Sequence, residues 1–107
     1  MKFPEYNDME EPLLCFILLN GGSNHKVIVR ATYEPLADFF GLTREERLRQ
    51  RYDGRGGSQW HNRVQWTRQR LINQGYLDGE ERGFWKLTPD GIQRANRVAN
   101  KYASLKQ

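Results

Sequence analysis

The sequence has little sulfur and few metal-ligating side chains: one cysteine, Cys15, and two histidines, His25 and His61. A single cysteine excludes an intrachain disulfide, and with it the disulfide-stapled secreted scaffolds. One cysteine and two histidines also fall short of a zinc finger, so no metal and no cofactor is expected. Long apolar runs are missing too. The only one, Leu13 to Leu19, is too short to span a bilayer. It makes a poor signal peptide, because Glu5, Asp8, Glu10 and Glu11 precede it where positive charge is needed. The expected setting is a reducing cytoplasm, with no membrane partner.

What is present is one domain's worth of chain. At 107 residues, with 37% hydrophobic and 28% charged residues, there is material for one modest core. The net charge of +4 is unevenly spread: residues 1–40 carry −3 and residues 41–107 carry +7. Arginine dominates the middle, at 44, 47, 49, 51, 55, 63, 68 and 70. Its rigid fork matches phosphate and guanine as lysine does not. A charge run is usually a solvated surface, so the surrounding pattern has to decide.

Residues 1–9 read as a loose arm and residues 10–107 as a single domain. Leu13, Leu14, Ile17 and Leu18 share one helical face, closed by Gly21-Gly22. Cys15 has no basic neighbour and reads as a core residue rather than a nucleophile. Val27-Ile28-Val29 suits a short buried strand, with Val27–Arg30 expected to pair with a later hairpin. Thr32 is placed to cap a helix with Pro35 in its first turn, Leu36, Phe39 and Phe40 on its apolar face and Gly41 at its end. Thr43-Arg44-Glu45-Glu46 is a capping box for a further helix that runs to about Tyr52.

Ser58 caps a long helix from Gln59 to Gln74. At about 100° per residue, Trp60, Val64, Thr67 and Leu71 fall on its core side. Asn62, Gln65, Trp66, Gln69 and Asn73 fall on the other side, flanked by Arg63 and Arg70. Residues 77–87 form a hairpin with its turn at Asp78–Gly83. Thr88-Pro89-Asp90 starts the last helix, whose stripe is Ile92, Ala95, Val98, Ala99 and Tyr102. The fold class is therefore α+β, mostly α, with a small antiparallel sheet. Its order is that of a winged helix-turn-helix: residues 31–41 supporting, 59–74 recognising, 77–87 the wing.

Four stretches then carry a resemblance: Ala37-Asp38-Phe39-Phe40-Gly41-Leu42-Thr43, Asn62-Arg63-Val64-Gln65-Trp66, Leu71-Ile72-Asn73-Gln74-Gly75-Tyr76-Leu77 and Arg82-Gly83-Phe84-Trp85-Lys86-Leu87-Thr88-Pro89-Asp90-Gly91. In this order and spacing the chain resembles the N-terminal domain of Mrr-like restriction proteins, over roughly residues 10–100. The resemblance implies a DNA-binding winged helix that ordinarily precedes a separate nuclease domain acting on modified DNA. That nuclease needs a strand-borne Asp followed by Glu or Gln, any residue, and Lys. Asp90 is the only echo of it, and it reads as a helix-dipole partner. No catalytic residue is expected, since no nucleophile–base pair or metal site is present.

The expected partner is double-stranded DNA, methylated in one version of the reading. A homodimer or a covalently linked nuclease domain is the further partner. Asn62, Gln65, Gln69 and Asn73 suit base edges, Asn and Gln pairing with adenine. Arg68 and Arg70 suit phosphates, or guanine if the helix rolls. Arg63 borders the core side and either reaches DNA or pairs with an acid. His61 either touches phosphate or is an ordinary exposed polar residue. Ser58 and Gln59 would form a phosphate cradle from helix N–H groups. Arg55 would fold onto DNA and Arg82 would enter the minor groove. Arg44, Arg47, Arg49 and Arg51 read as mainly solvated. Trp66 either packs against the hairpin or the loop at 51–58, or contacts DNA at a methyl group. The competing function is a protein-interaction or dimerisation module without DNA readout.

Overall fold

A computed structural model describes residues 3–51 and 56–107. Helix α1 (Tyr6–Asn20) forms the spine. Met9, Leu13, Leu14, Cys15, Phe16 and Ile17 are all buried along it, because α4 (Gln59–Asn73), α5 (Pro89–Val98) and the sheet pack around it. The helix ends where the chain turns back tightly: a Cβ at Gly21 would sit 2.7 Å from the Lys26 nitrogen. α1 begins earlier than the loose arm expected over residues 1–9. Phe3 packs against Trp60 with ring centres 5.8 Å apart and planes tilted at 41°. Pro4 offers its carbonyl to Arg63, and Tyr6 lies under the Arg63 and Arg70 guanidinium groups.

The sheet has three antiparallel strands, β1 (Lys26–Ile28), β2 (Leu77–Asp78) and β3 (Phe84–Leu87), in the order β1-β3-β2. Val27 pairs with Trp85, and Leu77 with Leu87. These four side chains are buried, as alternation along a half-buried strand requires. The expected pairing of the Val27 region with the hairpin is present. The strand is shorter than expected because Val29–Ala31 coils into a 3-10 turn, while Val29 N–H still bonds Gly83 O at 3.0 Å.

Helix α2 (Tyr33–Phe39) starts without a side-chain cap. Thr32 is fully buried and donates its hydroxyl to Val29 O at 2.8 Å, so the expected cap is spent on the preceding turn. Thr43 and Glu46 do form the capping box of α3 (Arg44–Leu48). This helix stops short of Tyr52. Residues 49–51 instead turn back on 57–59 through a Gln50–Ser58 bridge and Gln59 N–H to Arg49 O at 2.8 Å. Helix α4 (Gln59–Asn73) follows. Helix α5 (Pro89–Val98) is capped by Thr88 and continues as a 3-10 segment, Ala99–Leu105. Leu105 is buried against the spine, and Asn20 clasps this tail from both sides, donating to Leu105 O and accepting from Gln107 N–H.

Candidate nucleic-acid interface

The orientation of α4 is fixed by what it buries. Trp60, Val64, Thr67 and Leu71 are its buried residues, the set that helical spacing selects. Trp60 adds a specific tether, its indole N–H donating to Tyr33 O at 2.8 Å. The opposite side is therefore presented outward. No Asp or Glu occurs anywhere in α4. Trp66 is 55% exposed and is not sequestered under the hairpin. With Arg51, Asn62, Gln65, Arg68 and Gln69 it lines a shallow depression of about 260 Å³.

The amides on this side are not equivalent. Gln65 donates to the Tyr33 hydroxyl at 2.9 Å. Gln69 donates to Asn73 Oδ1 at 3.1 Å and accepts from Arg68 Nη1 at 3.3 Å. Asn62 is partly buried in the depression. Tyr33 was not singled out in the sequence, although it organises one end of the face. Its ring stacks on His61 with centres 3.9 Å apart and planes at 12°. His61 and Gln65, one helical turn apart, thus meet a single partner. Partial burial lowers the His61 pKa below its usual value, opposed by the field of Glu34.

Several expected contacts are placed elsewhere. Arg70 is turned toward α1: it donates to Glu10 at 3.0 Å and to Asn7 at 2.8 Å. Glu10 is only 5% exposed and also receives Gln74 and Arg94, so it is a buried hub joining α1, α4 and α5. Sequence reading missed it because its partners are distant in the chain. Arg63 donates to Pro4 O at 2.7 Å, and no ion pair with an acid holds it among the described residues. The expected phosphate cradle at Ser58 and Gln59 is largely closed. Gln59 N–H is taken by Arg49 O, His61 N–H by the Ser58 hydroxyl, and that hydroxyl donates to Arg47 O. Arg47 is not a solvated arginine either, since it bonds Leu42 O, Glu34 and Asp38.

Arg68 behaves differently. It runs between α4 and the hairpin, where a Cβ at Gly79 would collide with its guanidinium, and it lies 6.0 Å from the Trp85 ring centre. Its Nε is buried without a partner, and no carboxylate pairs with it among the described residues. Arg82 is exposed in the hairpin turn beside Glu80 and Glu81, and Glu81 pairs with Lys26 at 2.8 Å. Arg55 lies outside the described residues. Cys15 is buried, its thiol pushed up to about 11 by desolvation and then by Glu11, in keeping with a core role. Asp90 stands in the first turn of α5, as expected.

No curated protein and no solved structure matches the chain. The family model of the Mrr N-terminal domain matches residues 6–97. The match runs from the first residue of α1 to the last turn of α5, through all of α4 and the hairpin, and on that evidence the chain belongs to the Mrr N-terminal domain family, a restriction-type module.

Proposed function

We propose that this module binds duplex DNA as a winged helix, with α4 in the major groove and the β2–β3 hairpin beside it as the wing. The observation that carries the reading is the outward side of α4. Fifteen residues without a carboxylate present amides, a 55% exposed tryptophan and the Arg68 guanidinium together. Phosphates disfavour acids and supply most of the affinity, while amides and apolar groups read base edges. The hairpin supports the reading less strongly. Asp78, Glu80 and Glu81 surround Arg82 there, so only Arg82 itself would approach the minor groove.

In this reading Trp66 forms an apolar wall against a methyl group in the groove, which is the route to sensing base methylation. The module itself does no chemistry; cutting would belong to a linked nuclease domain. The function is exercised in the cytoplasm, where restriction systems meet DNA. Mobility shifts on plain and methylated duplexes at several salt concentrations test it. With about 4 phosphates neutralised, log affinity falls against log salt with a slope of roughly −3.6. Absence of binding at low salt overturns the reading.

One observation favours a second reading, protein interaction. A groove of about 670 Å³ is lined by Phe16, Val27, Ile28, Pro35 and Phe84, and Ile28 in it is 41% exposed. Concentration-dependent dimerisation that Ile28→Lys abolishes, without DNA binding by the parent, would establish it.

A further inference from the structure

We propose that Gln69 is the base-reading residue of α4, and that it reads adenine in one fixed sense; this rests on the DNA-binding reading above. Four amides lie on the outward side, but among the described residues only one is held at both ends. Gln65 is drawn toward α2 by the Tyr33 hydroxyl. Gln69 accepts from Arg68 Nη1 at its oxygen and donates to Asn73 Oδ1 from its nitrogen. Each end is used once. One N–H on Nε2 and one lone pair on Oε1 remain on the same amide. That donor–acceptor pair complements the N7 acceptor and N6 amino donor that adenine displays in the major groove.

The two bonds also fix which way round the amide lies. Its oxygen is on the Arg68 side and its nitrogen on the Asn73 side. The adenine amino group then meets the Arg68 side, and N7 the Asn73 side. Arg68 suits the task of a positioning residue, because its guanidinium is packed against the hairpin at Gly79 with Nε buried. An amide already held loses less rotational freedom on binding.

Position supports the same assignment. Arg68 and Gln69 line both the depression that contains Trp66 and a second one, of about 480 Å³, against the hairpin. Gln69 therefore stands on the ridge between the two hollows, where a base edge would be reached first. Trp66 is three residues earlier on the same side, suited to the methyl group of a neighbouring thymine.

A chemical consequence follows for modified DNA. In a duplex one N6 hydrogen of adenine pairs with thymine and the other points into the major groove. An N6-methyl group on paired adenine replaces the second. It removes the donor that Gln69 Oε1 needs and sets a methyl against it. Methylation is thus penalised at this base, and any gain from a methyl is confined to the base that meets Trp66.

The test selects a duplex from a randomised pool with the full chain, then measures affinities on single-base variants. The expected site contains an adenine whose replacement by any other base weakens binding roughly 5- to 150-fold. 7-Deazaadenine or N6-methyladenine at that position also weakens it, by about tenfold. Gln69→Ala binds the selected duplex as poorly as the parent binds the substituted one, and substitution then costs nothing more. Gln69→Glu moves the preference from adenine to cytosine, whose N4 amino group donates to a carboxylate. Asn73→Ala lowers the adenine preference, because the Gln69 amide loses the acceptor that holds its nitrogen. A melting transition for each variant, matched to the parent's, shows that the fold is intact. Full discrimination by Gln69→Ala, or binding by the parent without base preference, overturns this assignment and leaves the DNA-binding reading standing. Failure of the parent to bind at low salt overturns both.

Discussion

The two flanks of α4 carry the same residue type and use it in opposite ways. Toward α1, Arg63 and Arg70 are consumed inside the protein, on Pro4 O, the Tyr6 ring, Asn7 and the buried Glu10. Toward the hairpin, Arg68 is packed but meets no carboxylate among the described residues. Counting arginines in the sequence therefore overstates the charge that α4 presents outward. One flank holds the helix in place; the other leaves a cation beside the outward amides. The acid that decides this is a single buried residue sixty positions away, Glu10.

The strongest way to break the contrast is to remove that acid. Glu10→Ala leaves Arg70 and Arg94 without their shared partner. Loss of a buried ion-pair partner typically costs about 3–5 kcal/mol. The Arg70 and Arg94 side chains are 41% and 20% exposed and keep some hydration. The expected loss is therefore roughly 2–3 kcal/mol, after discounting for solvent screening. In thermal unfolding that is a fall of about 10–15 °C. DNA affinity measured well below the transition stays within about twofold, because the outward side is untouched. An unchanged melting temperature would show that the α1 flank is not a structural clamp.

The next comparison exchanges the flanks. Arg70→Ala lowers stability by about 1–2 kcal/mol and leaves the salt slope of DNA binding unchanged. Arg68→Ala weakens binding to every duplex and reduces the salt slope by about 1, as loss of one phosphate contact requires. Identical effects of the two substitutions would erase the distinction. Trp66→Ala is gentler still: stability within about 0.5 kcal/mol of the parent, since the side chain is mostly exposed. Any methylation preference falls by about fourfold, the equivalent of about 0.8 kcal/mol for one buried methyl. Cooperative unfolding lost in this variant would make Trp66 a packing residue.

Much of this was legible in local sequence, and the reasons differ by element. Trp60, Val64, Thr67 and Leu71 followed from helical period alone. Thr43, Ser58 and Thr88 announced helix starts because each accepts a backbone N–H within three residues. The start of α1 gave no such signal: Glu5 caps it without a side-chain bond, and its true anchors, Phe3 and Tyr6, rest on α4. Thr32 misled because its hydroxyl had two local acceptor choices and turned backward to Val29. The fates of Arg63, Arg68 and Arg70 were invisible, since they depend on which side of α4 receives the N-terminal segment and which receives the hairpin. Only the chain's long-range packing decides that.

The smallest expected effect concerns pH. Burial against Tyr33 depresses the His61 pKa, so the folded state favours the neutral ring. The associated stability is present above the unfolded histidine value, about 6.5, and is lost as pH falls below it toward the folded value. Unfolding measured at pH 7.5 and 5.5 shows lower stability at the acid end. His61→Phe, which keeps a ring on Tyr33, flattens that dependence. A slope that survives the substitution assigns it to other groups.

The buried thiol of Cys15 offers a use of its own. Its sulfur lies 3.7 Å from Ala95 O, at the seam where α1 meets α5. Burial shields it from thiol reagents and disfavours the thiolate until that seam parts. The rate at which Cys15 reacts in native buffer therefore clocks the opening of the spine itself. A surface thiol introduced at Gln93→Cys would be modified long before it. One molecule would then carry a fast handle for a dye and a slow timer for its own unfolding, with the natural cysteine left in place.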